Sequence, residues 1–252
     1  VALTSLILAR GGAVLAALIV NLITSVGQLL AIWLIYRWRF APDFAPPGAS
    51  LRLIELLRRA WPFAVAALLA ALQLRLSIIL LEIFAGISAV GIFAAAYRFI
   101  DAGRLIPGAL FGALLPALAA RTADPQQRNR LFRRALIGLA GFGVLAAVGF
   151  SVAADPLIAL IYGPAFAESA SILPLLAWGL LFNLMRGGVT LYLYAVARAG
   201  LANRIAAGMI VIQAALSLWL IPTQGVVGAA FGWLVAEIAA VLALWRIVSA
   251  RR

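Results

Sequence analysis

The sequence predicts an all-α fold, a polytopic transmembrane helical bundle of about seven spans. Three observations carry that prediction. The chain of 252 residues is 66% hydrophobic and only 11% charged, whereas soluble domains hold roughly 45–50% apolar and about 25% charged residues. Several apolar stretches reach the roughly 20 residues a helix needs to cross a bilayer. Those stretches are apolar on every face, whereas the strands of a membrane barrel alternate.

Taken in order, the apolar windows predict spans at Gly11–Tyr36, Trp61–Phe84, Val90–Ala119, Ala135–Ile161, Ser169–Val196, Ile205–Ile221 and Val226–Val248. The chain opens at Val1 inside an apolar tail, with no charged leader and no small-residue cleavage site ahead of it. It therefore does not begin with a signal peptide, and a preceding portion is expected to be missing.

The connections sort by charge. One set carries Arg37, Arg39, Arg52, Arg58 and Arg59, then Arg121, Arg128, Arg130, Arg133 and Arg134, then Arg198 and Arg204, then Arg246, Arg251 and Arg252. The other set (AGIS, YGPAFAES, PTQG) has no Arg. Cationic connections stay on the cytoplasmic side, so the Arg-rich set and the C-terminus are expected there.

The segment Phe40–Ala60 is the one long connection. It begins with the loop composition APDFAPPGAS. In SLRLIELLRRAWPF, Leu51, Ile54 and Leu57 can share a face while Arg52, Glu55 and Arg59 take others. That pattern suits a short amphipathic surface helix; an extension of the second span fits equally. Three parts follow: 1–36, 37–59 as linker, and 60–252.

Composition excludes much chemistry. The net charge is +12, and every basic residue is Arg, with no Lys or His. The Arg residues are spread over short loops rather than gathered on one face, so nucleic acid is not an expected partner. Absence of Cys and His removes disulfides, a thiol nucleophile, the commonest metal ligands and the commonest general base. No carboxylate pair, zinc motif or phosphate loop after a strand is present, so no catalytic residue, metal or cofactor is assigned. The glycine runs GLAGFG (Gly138–Gly143), GALFG (Gly108–Gly112) and GAAFG (Gly228–Gly232) lie inside apolar spans and predict close helix packing.

The candidate functional residues are the charges inside spans, because a buried charge in a bilayer faces a partner or water. YRFIDAGR places Arg98, Asp101 and Arg104 in the third span, where they can form a ladder along one side. Arg98 lies roughly 15 Å from the span's end at 1.5 Å per residue. Arg75, in LQLRLS, reaches a similar depth in the second span, with Glu82 two turns beyond it. Arg186, in NLMRGG, precedes two glycines that could bend the fifth span. Glu237 lies mid-way along the seventh. Two readings stand beside each other: a hydrated, net-positive transport cavity lined by Arg75, Arg98, Arg104 and Arg186, or buried pairs that pin helix register. Asp101 and Glu237 are the carboxylates available for charge balance or for coupling to an ion or proton.

Residues from Leu51 onward resemble the polysaccharide transporter (O-antigen flippase) family of the multidrug/oligosaccharidyl-lipid/polysaccharide exporter superfamily. The resemblance rests on Val90-Gly91 with Ala94–Arg98 ("VGxYxAAYR"), Leu115–Ala119 ("xFPALA"), Tyr162-Gly163 with Phe166 ("LYGxxF"), and LIPTQGVVGAAFGWLVAE ("LIPxxGxxGAAxA"). Ser77 stands where the family has the Asp of an Arg–x–Asp triplet, which leaves Arg75 without its usual neighbour. Phe93 replaces a common Tyr and Leu115 a common Phe.

The resemblance implies two six-helix lobes working by alternating access in the bacterial cytoplasmic membrane. Gly11–Tyr36 would end the N-terminal lobe, and Trp61 onward would form the C-terminal lobe. The implied partners are membrane lipids and a substrate lipid carrying an oligosaccharide through pyrophosphate, with a coupling ion or proton. Arg suits that substrate, since its planar fork binds phosphate well. Other substrates of the superfamily, a peptidoglycan precursor or a drug, remain as alternatives. The surplus Arg disfavours a cationic drug. A membrane-embedded enzyme of sugar or lipid metabolism is disfavoured by the absence of His and of polar catalytic loops, and a structural scaffold without transport is the blandest alternative.

Overall fold

The computed structural model describes residues 14–39, 53–121 and 124–249. Among these there are seven α-helices: α1 (Val14–Arg39), α2 (Leu53–Gly103), α3 (Leu105–Ala119), α4 (Pro125–Val152), α5 (Ala154–Tyr162), α6 (Ala167–Ala195) and α7 (Ala199–Ser249). A single 3-10 turn, Pro164–Phe166, joins α5 to α6. The chain divides into two compact units, Val1–Leu56 and Leu57–Arg252. The start of the first predicted span, the APDFAPPGAS linker with Leu51 and Arg52, and Arg251 and Arg252 lie outside the described residues.

The first unit holds α1, whose apolar side chains from Leu22 to Trp38 are exposed, with the Arg37 guanidinium 5.2 Å from the Trp33 ring centre. Helix α2 starts at Leu53, so Leu57 and Ala60 are continuous with the second span rather than on a separate surface helix.

The second unit is built from long helices that turn back on themselves. Helices α2 and α7 have 51 residues each, about 75 Å at 1.5 Å per residue. That is more than twice the roughly 30 Å hydrocarbon core. Each is interrupted by one glycine in non-helical geometry, Gly86 (φ 82°, ψ 173°) and Gly225 (φ 54°, ψ −126°). Positive φ is accessible to glycine and strained for other residues, which places the reversals in the AGIS and PTQG turns.

Residue pairings fix the directions. In α7, Gly228 lies against the Leu220 backbone, Gly232 against Ser217, and Ala240 clusters with Met209, so the two halves run antiparallel. Gln73 meets Met209, and Ser77 meets Gln213, four residues on in both helices, so the first halves of α2 and α7 run parallel. Ser169 donates to the Ile92 carbonyl, Leu180 packs on Gly103, and Phe111 packs on Gly187. The second half of α2, continued by α3, therefore runs beside α6 in the same direction. Gly179 faces Trp233 and Asn183 faces Glu237, so the second half of α7 is also parallel to α6. Helix α4 is antiparallel to α6, with Gly143 on Leu181, Leu139 on Gly188 and Phe132 on Tyr192. Two passes each from α2 and α7 and one each from α4 and α6 make six, within four apolar stretches long enough to span a bilayer.

The largest buried cluster joins Leu81, Phe93, Ile100, Ile158, Ile172 and Ile221. Its glycines matter where backbones meet: a Cβ on Gly143 would lie 2.9 Å from Leu181 Cα, and one on Gly228 would lie 2.6 Å from the Leu220 carbonyl. Small residues permit such approaches between membrane helices.

Several expectations are corrected. The third predicted span breaks at Arg104 and the fourth at Ala153. Each break falls next to the carbonyl four residues ahead of a proline, Gly103 before Pro107 and Val152 before Pro156, where the ring removes the N–H and crowds that oxygen. Gly187 and Gly188 do not bend α6; they admit Phe111 and Leu139. Gly108 and Gly112 meet no neighbour within 4 Å, so the packing contact of GALFG is made by Phe111 against Gly187 and not by its glycines.

Replacing Gly228 with Leu should lower stability by roughly 2–3 kcal/mol through overpacking. Gly208→Ala, in open space, should be neutral or stabilise by up to about 1 kcal/mol. Thermal unfolding in detergent micelles checks both.

Candidate functional site

Glu237 lies midway between Gly225 and the end of α7 at Ser249 and is fully buried. Its carboxylate is satisfied by three residues from two other passes. Arg186 Nε donates to Oε2 at 2.7 Å, and Arg186 Nη2 donates to Oε1 at 3.2 Å. Gln73 Nε2 and Asn183 Nδ2 each donate to Oε1 at 2.9 Å. A side-on guanidinium with two amide donors is the arrangement that makes a buried carboxylate tolerable. Arg186 remains 17% exposed, so the pair is closed on the Glu237 side and open on the Arg186 side.

One turn towards Gly225, a neutral polar row continues. Gln213 Nε2 donates to Ser77 Oγ at 3.0 Å, both residues being buried. Ser217 follows one turn later. Gln213 Oε1 and Ser217 Oγ are buried without a partner among the described residues. Ser77, standing where the resembled family has Asp, thus carries a neutral hydrogen bond and no charge.

A second cluster lies at the break between α2 and α3. Arg104 Nη1 donates to Tyr97 Oη at 2.8 Å and meets Asp101 Oδ1 at 3.4 Å. The guanidinium lies 5.3 Å from the Tyr97 ring centre and 5.8 Å from that of Trp233, within cation–π range. Tyr97 meets Trp233 edge to face at 6.0 Å and stacks on Phe93 at 5.7 Å. Trp233 is one helical turn before Glu237, so the two clusters are neighbours.

Arg75 and Arg98 differ from the other two arginines. Both are exposed, and neither forms an ion pair among the described residues. They lie 11 and 12 residues from Gly86 (86 − 75 and 98 − 86) on its two sides, so both sit at a depth of about 17 Å. The expected three-residue ladder is therefore incomplete: Asp101 pairs with Arg104, not Arg98. Of the candidate residues, Arg186 joins Glu237, Arg104 joins Asp101, and Arg75 and Arg98 stand apart. Gln73, Asn183, Tyr97, Gln213 and Trp233 were not singled out from sequence; the signal was a lone amide in an apolar run, as in ALQLRL, LFNLMR and VIQAAL.

These features define a multi-pass α-helical membrane protein with a charged layer at mid-depth. Residues 1–171 match the family described as polysaccharide biosynthesis protein, and the chain belongs to that family. No curated protein matches the sequence. The fold is similar to a solved structure, the outward-facing conformation of a multidrug resistance MATE family transporter of the MOP superfamily, with a TM-score of 0.69 and 14% identity. The match covers 88% of this chain and 54% of that one, so the chain spans about half of that transporter's length. Arg186 and Glu237 lie beyond the family-matched residues.

Removing one partner from a buried ion pair costs about 3–5 kcal/mol. Glu237→Gln should therefore lower Tm by roughly 10 °C. Adding Arg186→Leu to that variant should recover much of the loss, which a double-mutant cycle in detergent would measure.

Proposed function

We propose that this chain is part of a flippase that moves a lipid-linked oligosaccharide across the membrane by alternating access, with the pyrophosphate guided by Arg75 and Arg98. The observation that carries this reading is the pair of exposed, unneutralised guanidinium groups at matching depth in an otherwise apolar bundle. Family membership in polysaccharide biosynthesis and the MATE-like fold support it.

The electrostatics separate roles. Arg186 is consumed by Glu237, so its charge is cancelled locally. Arg104 is held by Tyr97, Trp233 and Asp101 and keeps a partly exposed edge. Arg75 and Arg98 are free of any ion pair among the described residues, and an anion that meets them loses little when it leaves, because neither is locked in a preformed cage. Phosphate recognition by such a pair needs no covalent chemistry; it needs only free guanidinium forks that an anion can reach. Glu237 lies behind Arg186 and offers no open carboxylate to a cationic drug. The lipid-linked sugar is therefore the better-suited substrate, and the drug reading gains no support from a specific contact.

In proteoliposomes containing the full-length protein, translocation of a labelled undecaprenyl-pyrophosphate oligosaccharide should fall at least tenfold in Arg98→Ala and in Arg75→Ala, with unchanged thermal stability. An estimate of that size follows from loss of one charge-assisted contact, roughly 1.5–3 kcal/mol. Native protein that moves no lipid-linked sugar would overturn the reading.

A further inference from the structure

We infer that the exposed face of α4 is a binding site for an anionic phospholipid, separate from the layer of Glu237 and Arg98. The face is a single stripe. Arg130, Arg134, Ile137, Gly141, Leu145, Val148 and Val152 recur at steps of three or four residues and are all exposed. That spacing puts them on one side of a helix. The opposite side, Phe132, Leu136, Leu139, Gly143 and Ala147, packs inward, with Leu139, Gly143 and Ala147 buried.

The stripe has the shape and polarity of a lipid. Arg130 and Arg134 form its charged end, with the exposed Arg133 beside them. From Arg134 to Val152 is roughly 27 Å at 1.5 Å per residue, close to one hydrocarbon thickness. Leu145 and Val152 are 75% and 80% exposed, so the far part is bare apolar surface. Between Arg134 and Leu145, Gly138 and Gly141, also exposed, have open space where a side chain would stand. They leave bare helix backbone against which an acyl chain can lie.

Charge complementarity names the occupant. Arg130, Arg133 and Arg134 form no ion pair among the described residues. The nearest acid in sequence, Asp124, caps α4 by accepting from the Gln127 N–H at 3.0 Å. Arg128 stacks on Tyr192 at 5.7 Å, and Tyr192 donates to Asn129 at 2.9 Å, so the inward side of this end is held by aromatic contacts and not by acids. Arg130 forms like-charge pairs with Arg133 and Arg134 at three and four residues along the same helix, so these cations repel one another. A phosphodiester relieves that repulsion and takes up the free guanidinium donors. Neutral zwitterionic lipid brings its own cation and satisfies the site less well.

The test is native mass spectrometry of the purified protein in detergent with added phosphatidylglycerol or phosphatidylcholine. The native protein should retain phosphatidylglycerol in preference, and Arg130→Gln with Arg134→Gln should weaken that retention on the order of tenfold. Arg121→Gln, a cation at the same end whose Nη1 is engaged by the Ala117 carbonyl, should leave it unchanged. Gly141→Leu, which covers that bare backbone without changing charge, should weaken retention as well, and unfolding temperatures identify any variant that is merely misfolded. Equal retention of the two lipids, or equal retention by native and double-variant protein, would overturn the inference. So would displacement of phosphatidylglycerol from this site by an equimolar polyprenyl pyrophosphate, which would assign the stripe to the transported lipid instead.

Discussion

The carboxylate of Glu237 organises the second unit. It is buried at the middle of its pass and accepts from Arg186, Asn183 and Gln73, so it ties the second half of α7 to α6 and to the first half of α2. In hydrocarbon an unpaired carboxylate is expensive, and one paired with a guanidinium and hydrogen-bonded at both oxygens is tolerable. The close backbone contacts around it follow the same demand. Gly179 lets Trp233 lie one turn from Glu237, and Gly187 and Gly188 let α3 and α4 approach α6 beside Arg186.

That pairing decides which charges are left. The passes of the second unit carry Arg75, Arg98, Arg104 and Arg186 against Asp101 and Glu237 at mid-depth, with Glu82 nearer the Gly86 turn. Glu237 cancels Arg186, and Asp101 lies on Arg104, whose remaining valence is shared with Tyr97 and Trp233. The excess positive charge therefore resides on Arg75 and Arg98, on the two sides of the Gly86 reversal. Their separation from the buried cluster lets the bundle hold a rigid neutral layer inside while presenting charge at its surface. The Arg-rich end of α4 is a different matter: its cations sit at a helix end, beyond the apolar stripe.

Topology was legible because it depends on composition. Apolar runs of membrane length mark passes, and AGIS, PTQG and the Tyr162-Gly163 turn become positive-φ glycines at 86, 225 and 163. The breaks at Arg104 and Ala153 were legible in principle, since Pro107 and Pro156 stand four residues beyond the crowded carbonyls. Hydropathy averages hide them because Leu105–Ala119 and Ala154–Tyr162 are as apolar as their neighbours. The pairing of Arg186 with Glu237 was only half legible. Both charges are visible in sequence, but partnership across 51 positions depends on helix rotation, which a run of Leu and Ala does not specify. The amides that complete the cage carry no charge and drew no notice. The Arg98–Asp101 spacing was a poor guide, because Asp101 is three residues from both Arg98 and Arg104, and its carboxylate meets Arg104.

The proposed passage of an anion requires Arg75 and Arg98 to face water. The chain has no cysteine, so a single cysteine at position 98 can be labelled without background. The rate of modification of Arg98→Cys in the full-length protein in liposomes should be measured with two water-soluble thiosulfonates, one anionic and one cationic. Both should react, the anionic reagent several-fold faster, a preference that Arg75→Ala removes. Labelling only by a lipid-soluble maleimide, with neither charged reagent reacting, would contradict it: Arg98 would then face the bilayer, and the bundle would have no positively charged water-filled surface for an anion to cross.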